Sequence, residues 1–186
     1  VYGKIRLMYP MVAGIGELRA ANAILDEVKD TLRKENIPFD ENIPVGVMVE
    51  VPSAAVTADL LAKEADFFSI GTNDLKAHTM IELGPRDAED AVKIVEGVPP
   101  EMLRYVCDAA EAAEANNIQA SVCGVLAGKP RYIPFLIGAG VTALSVPKTQ
   151  LKDVMFMVQN MTYKHARELV GEALALGTAD AVDELL

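Results

Sequence analysis

Two carboxylates follow two short apolar segments, at positions where each could bind a ligand. Glu50 follows the segment Val45–Val49, and Asp74, with Asn73 beside it, follows the segment 67–70. A pair of carboxylates, completed by waters and an anionic substrate, is a common way for proteins to hold Mg²⁺ or Mn²⁺. Either carboxylate alone could equally be a helix cap or a solvated loop residue. The pair, at equivalent positions after successive segments, favours a metal site.

Three other side chains near such segments could act on an anionic substrate. The amide of Asn73 can contact a phosphoryl or carboxylate oxygen, and Arg6, inside the apolar segment 5–9, offers a fork of donors for the same group. Cys123 ends the segment 120–123 and could donate a proton or act as a nucleophile if its pKa is tuned. The alternative for Cys123 is an inert buried thiol. Cys107 lies in an alanine-rich stretch and is predicted to be a core residue.

An alternation of strands and helices would position these residues. Short apolar runs predict strands at 5–9, 45–49, 67–70, 120–123 and 141–146. Helical periodicity predicts helices at 15–36, 52–65, 101–116, 130–137, 149–159 and 163–176, with a short one at the end of the chain. The polar stretch 75–100 is interpreted as a long irregular excursion.

This alternation is typical of an α/β protein with a parallel sheet covered by helices. In such folds the ligand lies beyond the carboxyl ends of the strands, where Glu50, Asp74 and Cys123 are expected. Five strands do not close an eight-stranded barrel, and an open doubly wound sheet fits the alternation equally well. No glycine-rich fingerprint follows the first strand, which argues against a dinucleotide site.

Length and composition restrict the class of protein. The chain has 186 residues, the size of one domain, and a net charge of -10, which argues against nucleic acid as a partner. Two cysteines make no disulfide framework, and no apolar stretch reaches the roughly 20 residues of a membrane span. We therefore expect a cytoplasmic protein without membrane insertion.

Four strings of the sequence resemble one family. IRLMYPM, GVMVEVPSAA, DFFSIGTNDL and VCGVLAG are similar, in order and spacing, to the C-terminal domain of Enzyme I of the bacterial sugar phosphotransferase system. This family belongs to the enzymes that use phosphoenolpyruvate (PEP). The resemblance implies that residues 1–186 form the C-terminal portion of a (β/α)₈ TIM barrel, about five β/α units in a single domain. The first strands of that barrel would then precede this chain.

The resemblance also implies a reaction and the residues that perform it. Glu50 and Asp74 match the ligands of Mg²⁺, with Mn²⁺ as the other option. Arg6 and Asn73 match substrate-binding residues, and Cys123 matches the acid that protonates enolpyruvate to pyruvate. The family transfers the phosphoryl group of PEP to a histidine on a separate domain and then to the phosphocarrier protein HPr, and its members form homodimers. Without that histidine, the chain alone is not expected to complete the reaction.

Four positions at the rim of the expected site depart from the family pattern. Gly84 stands where the family has a substrate-binding arginine, with Arg86 two residues away as a substitute. Val125 replaces a glutamate, Lys129 replaces an aspartate, and Lys148 lies in an altered strand end. Two alternatives stay open, and the changes at Gly84 and Val125 favour the first of them. One is a divergent non-catalytic or regulatory relative that retains the metal and anion pocket. The other is a metal-dependent pyruvate or oxaloacetate lyase on the same barrel.

Overall fold

A five-stranded parallel sheet forms the centre of the molecule. The computed structural model describes residues 4–82 and 97–186. Strands that follow one another along the chain are neighbours in the sheet, and every pairing is parallel. The strands are β1 (Leu7–Tyr9), β2 (Val45–Val49), β3 (Phe67–Gly71), β4 (Gln119–Cys123) and β5 (Ala143–Leu144).

The central strands are apolar because both of their faces are covered. All five residues of β3 are buried, as are four of the five residues of β2. Phe68, Ile70 and Val49 expose no surface to solvent. Continuous apolar runs of this kind are typical of parallel sheets covered by helices on both sides. The prediction of buried parallel strands in an α/β fold is confirmed.

Helices connect successive strands and cover the sheet. They are α1 (Ile15–Lys34), α2 (Pro52–Val56), α3 (Ala58–Leu61), α4 (Thr72–Glu82), α5 (Pro100–Ala115), α6 (Ile133–Gly138), α7 (Leu151–Asn160), α8 (Tyr163–Leu174) and α9 (Ala179–Leu185). Short 3₁₀ helices span Val125–Gly128, Pro130–Tyr132 and Lys148–Gln150. Within residues 4–82 and 97–186, none of the helices is both long and apolar enough to cross a bilayer.

The stretch 75–100 begins as a helix, whereas the sequence predicted an irregular excursion from its first residue. Helix α4 continues through Glu82. Leu75 and Thr79 lie one turn apart on its buried side, and the Thr79 hydroxyl donates to the Leu75 carbonyl at 2.6 Å. A buried threonine bonded to its own helix gives little apolar periodicity, so the pattern did not indicate this helix. The predicted rim residues Gly84 and Arg86 lie outside the described residues.

The two outer strands are shorter than predicted. Strand β5 spans two residues instead of 141–146, and β1 spans three instead of 5–9. In the described part of the chain, β1 pairs only with β2, and β5 pairs only with β4. Edge strands lack the second ladder that extends regular pairing in the interior of a sheet. Closure of this sheet into an eight-stranded barrel by further strands stays a prediction.

Candidate functional site

The carboxyl ends of the three central strands meet at one edge of the sheet. Gly71, the last residue of β3, is in register with Cys123, the last residue of β4. Val49, the last residue of β2, is in register with Ile70, so Glu50 lies at the level of Gly71. The structure therefore brings Glu50, the start of α4 and Cys123 to the same edge, as the sequence predicted.

Glu50 is a buried carboxylate held from two sides. It is only 4% exposed, and its Oε1 accepts a hydrogen bond of 2.7 Å from the backbone N–H of Met11, which follows β1. On the other side, Gly71 leaves room for it: a β-carbon at Gly71 would lie 3.0 Å from Oε2 and 2.9 Å from the Glu50 β-carbon. The loop after β1 and the end of β3 thus fix the carboxylate above the sheet edge.

Asn73 and Asp74 lie in the first turn of α4, immediately after β3, and both are exposed. The Asn73 side-chain oxygen accepts a 3.0 Å hydrogen bond from the backbone N–H of Val125. The neighbouring Thr72 hydroxyl donates to the Cys123 carbonyl at 2.8 Å. Asn73 and Thr72 therefore tie the end of β3 to the end of β4. With its oxygen engaged, Asn73 offers its NH₂ group as the donor for an anionic ligand.

Cys123 is half-buried and has polar neighbours on β3. The Ser69 hydroxyl donates to its sulfur at 3.5 Å, and the Cys123 thiol lies 3.6 Å from the Ile70 carbonyl. Gly124 follows with φ +93°, and a β-carbon there would lie 2.6 Å from the Thr72 hydroxyl. Only glycine allows this close approach without strain, so Gly124 lets the side chains of Thr72 and Asn73 lie against the end of β4.

Cys107 differs from Cys123 in its surroundings. It is 5% exposed inside α5, and burial, assisted by the charges of Glu111 and Asp108, raises the pKa of its thiol to about 12. A thiol with so high a pKa stays protonated and unreactive at neutral pH. Cys107 is therefore suited to packing, in agreement with the sequence interpretation.

Arg6 is not brought to this edge. It precedes β1, and its guanidinium donates to the Gln119 side-chain oxygen at 2.8 Å and lies 5.2 Å from the centre of the Phe67 ring. Phe67 and Gln119 are the first residues of β3 and β4, so Arg6 lies at the amino ends of the strands, opposite Glu50 and Cys123. The apolar segment around Arg6 suggested a position inside a strand, but regular pairing begins one residue later.

The rim of the site is formed by the stretch after β4. Val125 is 58% exposed, and Lys129 and Lys148 are also exposed. Lys76 of α4 lies near Lys129: burial, and then the charge of Lys129, lowers the pKa of Lys76, while Asp183 opposes the shift. Lys129, one of the rim positions named above, therefore lies close to a second cation, Lys76.

Ser69 and Thr72 contact the expected site residues but were missed by the sequence interpretation. Ser69 is the one polar residue of a strand that is otherwise apolar and buried on both faces. A hydroxyl in such a place must find a partner, so its presence was a usable signal. Thr72 had no comparable signal, because its partner Cys123 is 51 residues away in sequence.

The donor atoms at the edge suit a divalent cation only in part. Carboxylate oxygens are the ligands that Mg²⁺ prefers, and Glu50 and Asp74 follow adjacent strands. Within the described residues, no group of three or more His, Cys, Asp or Glu side chains is arranged to hold a metal. The arrangement fits an open site in which substrate oxygens and waters supply the remaining ligands, as Mg²⁺ sites commonly require.

Comparisons with known proteins place the sequence in a family. The model of the family described as PEP-utilising enzyme, PEP-binding domain matches residues 1–163. The phosphoenolpyruvate-protein phosphotransferase of Lactococcus lactis subsp. cremoris is 39% identical over 175 residues, which are 94% of this chain and 30% of that protein. The protein of the same name from Haemophilus influenzae is 37% identical over 185 residues, covering 100% of this chain and 32% of its own length.

A more distant likeness concerns the fold alone. The crystal structure of RipC from Yersinia pestis superimposes with a TM-score of 0.54 at 12% identity, covering 86% of this chain and 66% of that one. The chain spans about a third of the length of the curated relatives that it matches. Because the family model covers most of the sequence, including each strand and the residues at the strand ends, the chain belongs to the PEP-utilising enzymes, in their PEP-binding domain.

Proposed function

We propose that this chain is the PEP-binding part of a phosphotransferase that moves the phosphoryl group of PEP to a histidine on another domain and releases pyruvate. The observation that carries the proposal is the meeting of Glu50, Asn73, Asp74 and Cys123 at one sheet edge. The relatives that match nearly all of this chain are named phosphoenolpyruvate-protein phosphotransferases. The transfer itself involves the whole protein, of which this chain would supply one site.

Glu50 and Asp74 would hold Mg²⁺, with Mn²⁺ as the other option. The bound metal would neutralise charge on the phosphoryl group and on the enolate oxygen that leaves it. Glu50 is suited to this task because the Met11 N–H and the close fit at Gly71 fix its carboxylate. The Asn73 NH₂ group would donate to an oxygen of the substrate.

Cys123 would complete the reaction by protonating carbon. When the phosphorus–oxygen bond of PEP breaks, the histidine takes the phosphoryl group and enolpyruvate remains as its enolate. The Cys123 thiol gives its proton to the methylene carbon, which yields pyruvate and a thiolate. The Ser69 hydroxyl, 3.5 Å from the sulfur, is placed to donate a hydrogen bond to that thiolate.

The partners in this proposal lie outside the described residues. They are the phosphoryl-accepting histidine on another domain, the phosphocarrier protein HPr, and a second copy of the protein in a homodimer. None of these is needed for binding PEP at the sheet edge. PEP binding and phosphoryl transfer can therefore be tested separately.

A regulatory relative is the second candidate, because two acidic residues of the family pattern are replaced at the rim of the site. Val125 is exposed where the family carries a glutamate, and Lys129 stands where it carries an aspartate. Loss of these two carboxylates beside Cys123, the proposed proton donor, would leave PEP binding in place and abolish the formation of pyruvate. In that case the protein would bind PEP with Mg²⁺ and release no pyruvate.

Pyruvate release, measured with paired cysteine variants, separates these functions. In the natural protein that contains this chain, Cys123→Ser should slow pyruvate formation from PEP at least about 100-fold, the usual contribution of a positioned acid. Cys107→Ser is the matched control and should keep the rate, because Cys107 is buried in α5. Equal rates in the two variants would contradict the role of Cys123. PEP binding without pyruvate release in the unsubstituted protein would favour the regulatory relative.

A further inference from the structure

One residue beside the candidate site has a backbone conformation that its residue type does not favour. Met11, the second residue after β1, has φ +55°, in the left-handed region. In the described part of the chain two other residues with a side chain share this region, and both are asparagines, Asn36 and Asn117. Asparagine tolerates the left-handed conformation, whereas most residues with a β-carbon are strained in it. The residue type of Met11 therefore gives no reason for its conformation.

The two asparagines are explained by their positions after helices. Asn36 follows α1, and its N–H donates to the Arg33 carbonyl at 3.2 Å. Asn117 follows α5, and its N–H donates to the Glu114 carbonyl at 3.0 Å. Left-handed residues commonly end helices in this way, because the turn satisfies carbonyls that the helix leaves without a partner. Met11 lies before a helix, so this explanation does not apply to it.

The left-handed turn at Met11 directs its N–H to the candidate site. This N–H donates to Oε1 of Glu50 at 2.7 Å, and Glu50 is buried. Hydrogen bonds to an ionised group are stronger than bonds between neutral groups, and burial strengthens them further. The bond to Glu50 therefore offsets the strain at Met11. Strained residues that the surrounding structure holds in place are concentrated at functional sites.

The loop around Met11 is held on both sides of the strained residue. Before it, β1 pairs with β2 as far as Tyr9. After it, Val12 is buried in the core, and the N–H of Ala13 donates to Oε2 of Glu17, in the first turn of α1, at 2.7 Å. With both ends of the loop fixed, a change of Met11 to a right-handed or extended conformation would turn its N–H away from the carboxylate.

We propose that Met11 is a positioning residue for Glu50: its left-handed backbone fixes the orientation in which that carboxylate meets the metal and the substrate. The contribution comes from the backbone conformation and the N–H, and the methionine side chain is not required. Residues that tolerate the left-handed region should therefore replace Met11, and β-branched residues should not. The effect on a metal rests on the proposed function, whereas the hold of the loop on the carboxylate does not.

Two substitutions of Met11 separate the backbone from the side chain. Met11→Asn and Met11→Val both remove the thioether and keep the N–H, but only asparagine tolerates the left-handed conformation. The probe is Mn²⁺ alone, titrated into the natural protein that contains this chain and followed by electron paramagnetic resonance. Met11→Val should bind Mn²⁺ at least about tenfold more weakly, the usual effect of losing a partner that orients a metal ligand. Met11→Asn should retain the affinity of the unsubstituted protein.

Asn117→Val is the matched control for a general loss of stability. It places the same β-branched residue in a left-handed position between α5 and the amino end of β4, at the opposite end of the strands from Glu50. Both valine variants should unfold at lower urea concentration than the unsubstituted protein. Only Met11→Val should also bind Mn²⁺ more weakly. A merely structural role of Met11 would lower stability without this difference in metal binding.

Hydrogen exchange of the Met11 amide, without metal, tests the bond itself. Glu50→Ala removes the acceptor and should accelerate exchange of this proton at least about tenfold, as expected for the loss of a bond to a charged group. The amide protons of β2 serve as the reference, because they report opening of the whole sheet. Exchange of the Met11 amide that is equally fast with and without the Glu50 carboxylate would overturn the proposal.

The metal titrations distinguish the positioning role from the proposed function. Weaker Mn²⁺ binding in Met11→Val, but not in Met11→Asn, supports the proposal. Equal weakening in both variants would assign the effect to the thioether, and unchanged binding in both would show that Glu50 is oriented without Met11; either result overturns it. Absence of Mn²⁺ binding in the unsubstituted protein would contradict the proposed metal site. Exchange of the Met11 amide would then decide alone whether the loop holds Glu50.

Discussion

At the scale of residues, the candidate site depends on contacts between the ends of neighbouring strands. Glu50 after β2 receives the Met11 N–H from the loop after β1 and lies against Gly71 at the end of β3. Each of these contacts joins residues that are distant in sequence. The position of the Glu50 carboxylate therefore depends on the assembled sheet. Small changes at Gly71 should displace it.

Gly71→Ala should destabilise the protein and displace Glu50. The added β-carbon would lie 2.9 Å from the Glu50 β-carbon and 3.3 Å from the Met48 sulfur, closer than packed atoms tolerate. Overpacking of this kind costs about 1–3 kcal/mol. Urea unfolding measures the loss. Gly16→Ala is the control, because a β-carbon at Gly16 meets no atom of the described residues within 4 Å. Equal unfolding free energies in the two variants would show that Gly71 does not constrain Glu50.

Residues that follow strands were predictable, and residues defined by long-range contacts were not. Glu50 and Cys123 could be placed because an apolar run ends immediately before or at each of them. Arg6 was expected among them, yet it precedes its strand and bonds to Gln119, 113 residues away. The pairing of Tyr132 with Asp183 spans 51 residues and leaves no local pattern.

At the scale of elements, glycine permits a close contact between two helices of the outer layer. Helices α6 and α8 pack together where Gly138 faces the backbone of Ala166. Arg167 of α8 also donates to the Gly138 carbonyl at 3.1 Å. This packing fixes the helix that precedes β5. The sequence predicted only a helix over 130–137, because the close approach of Gly138 involves a partner far along the chain.

Gly138→Ala should separate these helices. The new β-carbon would overlap the Ala166 carbonyl group and lie 3.0 Å from Val170, and a backbone clash of this kind should cost at least about 1–3 kcal/mol. Gly171 lies on the exposed side of α8, and a β-carbon there meets no atom in the described part of the chain within 4 Å. Gly171→Ala should therefore raise stability by about 0.5–1 kcal/mol through helix propensity. Thermal unfolding of both variants provides the comparison. A Gly138→Ala protein as stable as Gly171→Ala would refute the account of this contact.

At the scale of the whole molecule, the alternation of elements was enough to predict the parallel sheet, and the strand-end motifs were enough to predict the family. The described sheet has two outer strands with one partner each, which is compatible with further strands in a larger barrel.

The apolar surface of α7 is also extensive, with Phe156 64% exposed and Met155 50% exposed. Surfaces of this kind commonly mark contacts with other parts of a protein or with a second copy. Composition and local pattern do not indicate what such a surface would contact.

The most direct test of the central claim is calorimetry of PEP binding to the natural protein that contains this chain, with and without Mg²⁺. The account predicts binding that requires Mg²⁺ and is weakened more than about tenfold by Glu50→Gln or Asp74→Asn, because each substitution removes the negative charge of a proposed metal ligand. Glu35→Gln, at the exposed end of α1, should bind as the unsubstituted protein does. Binding that is indifferent to Mg²⁺ and to both site variants, or no binding heat at any metal concentration, would contradict the account.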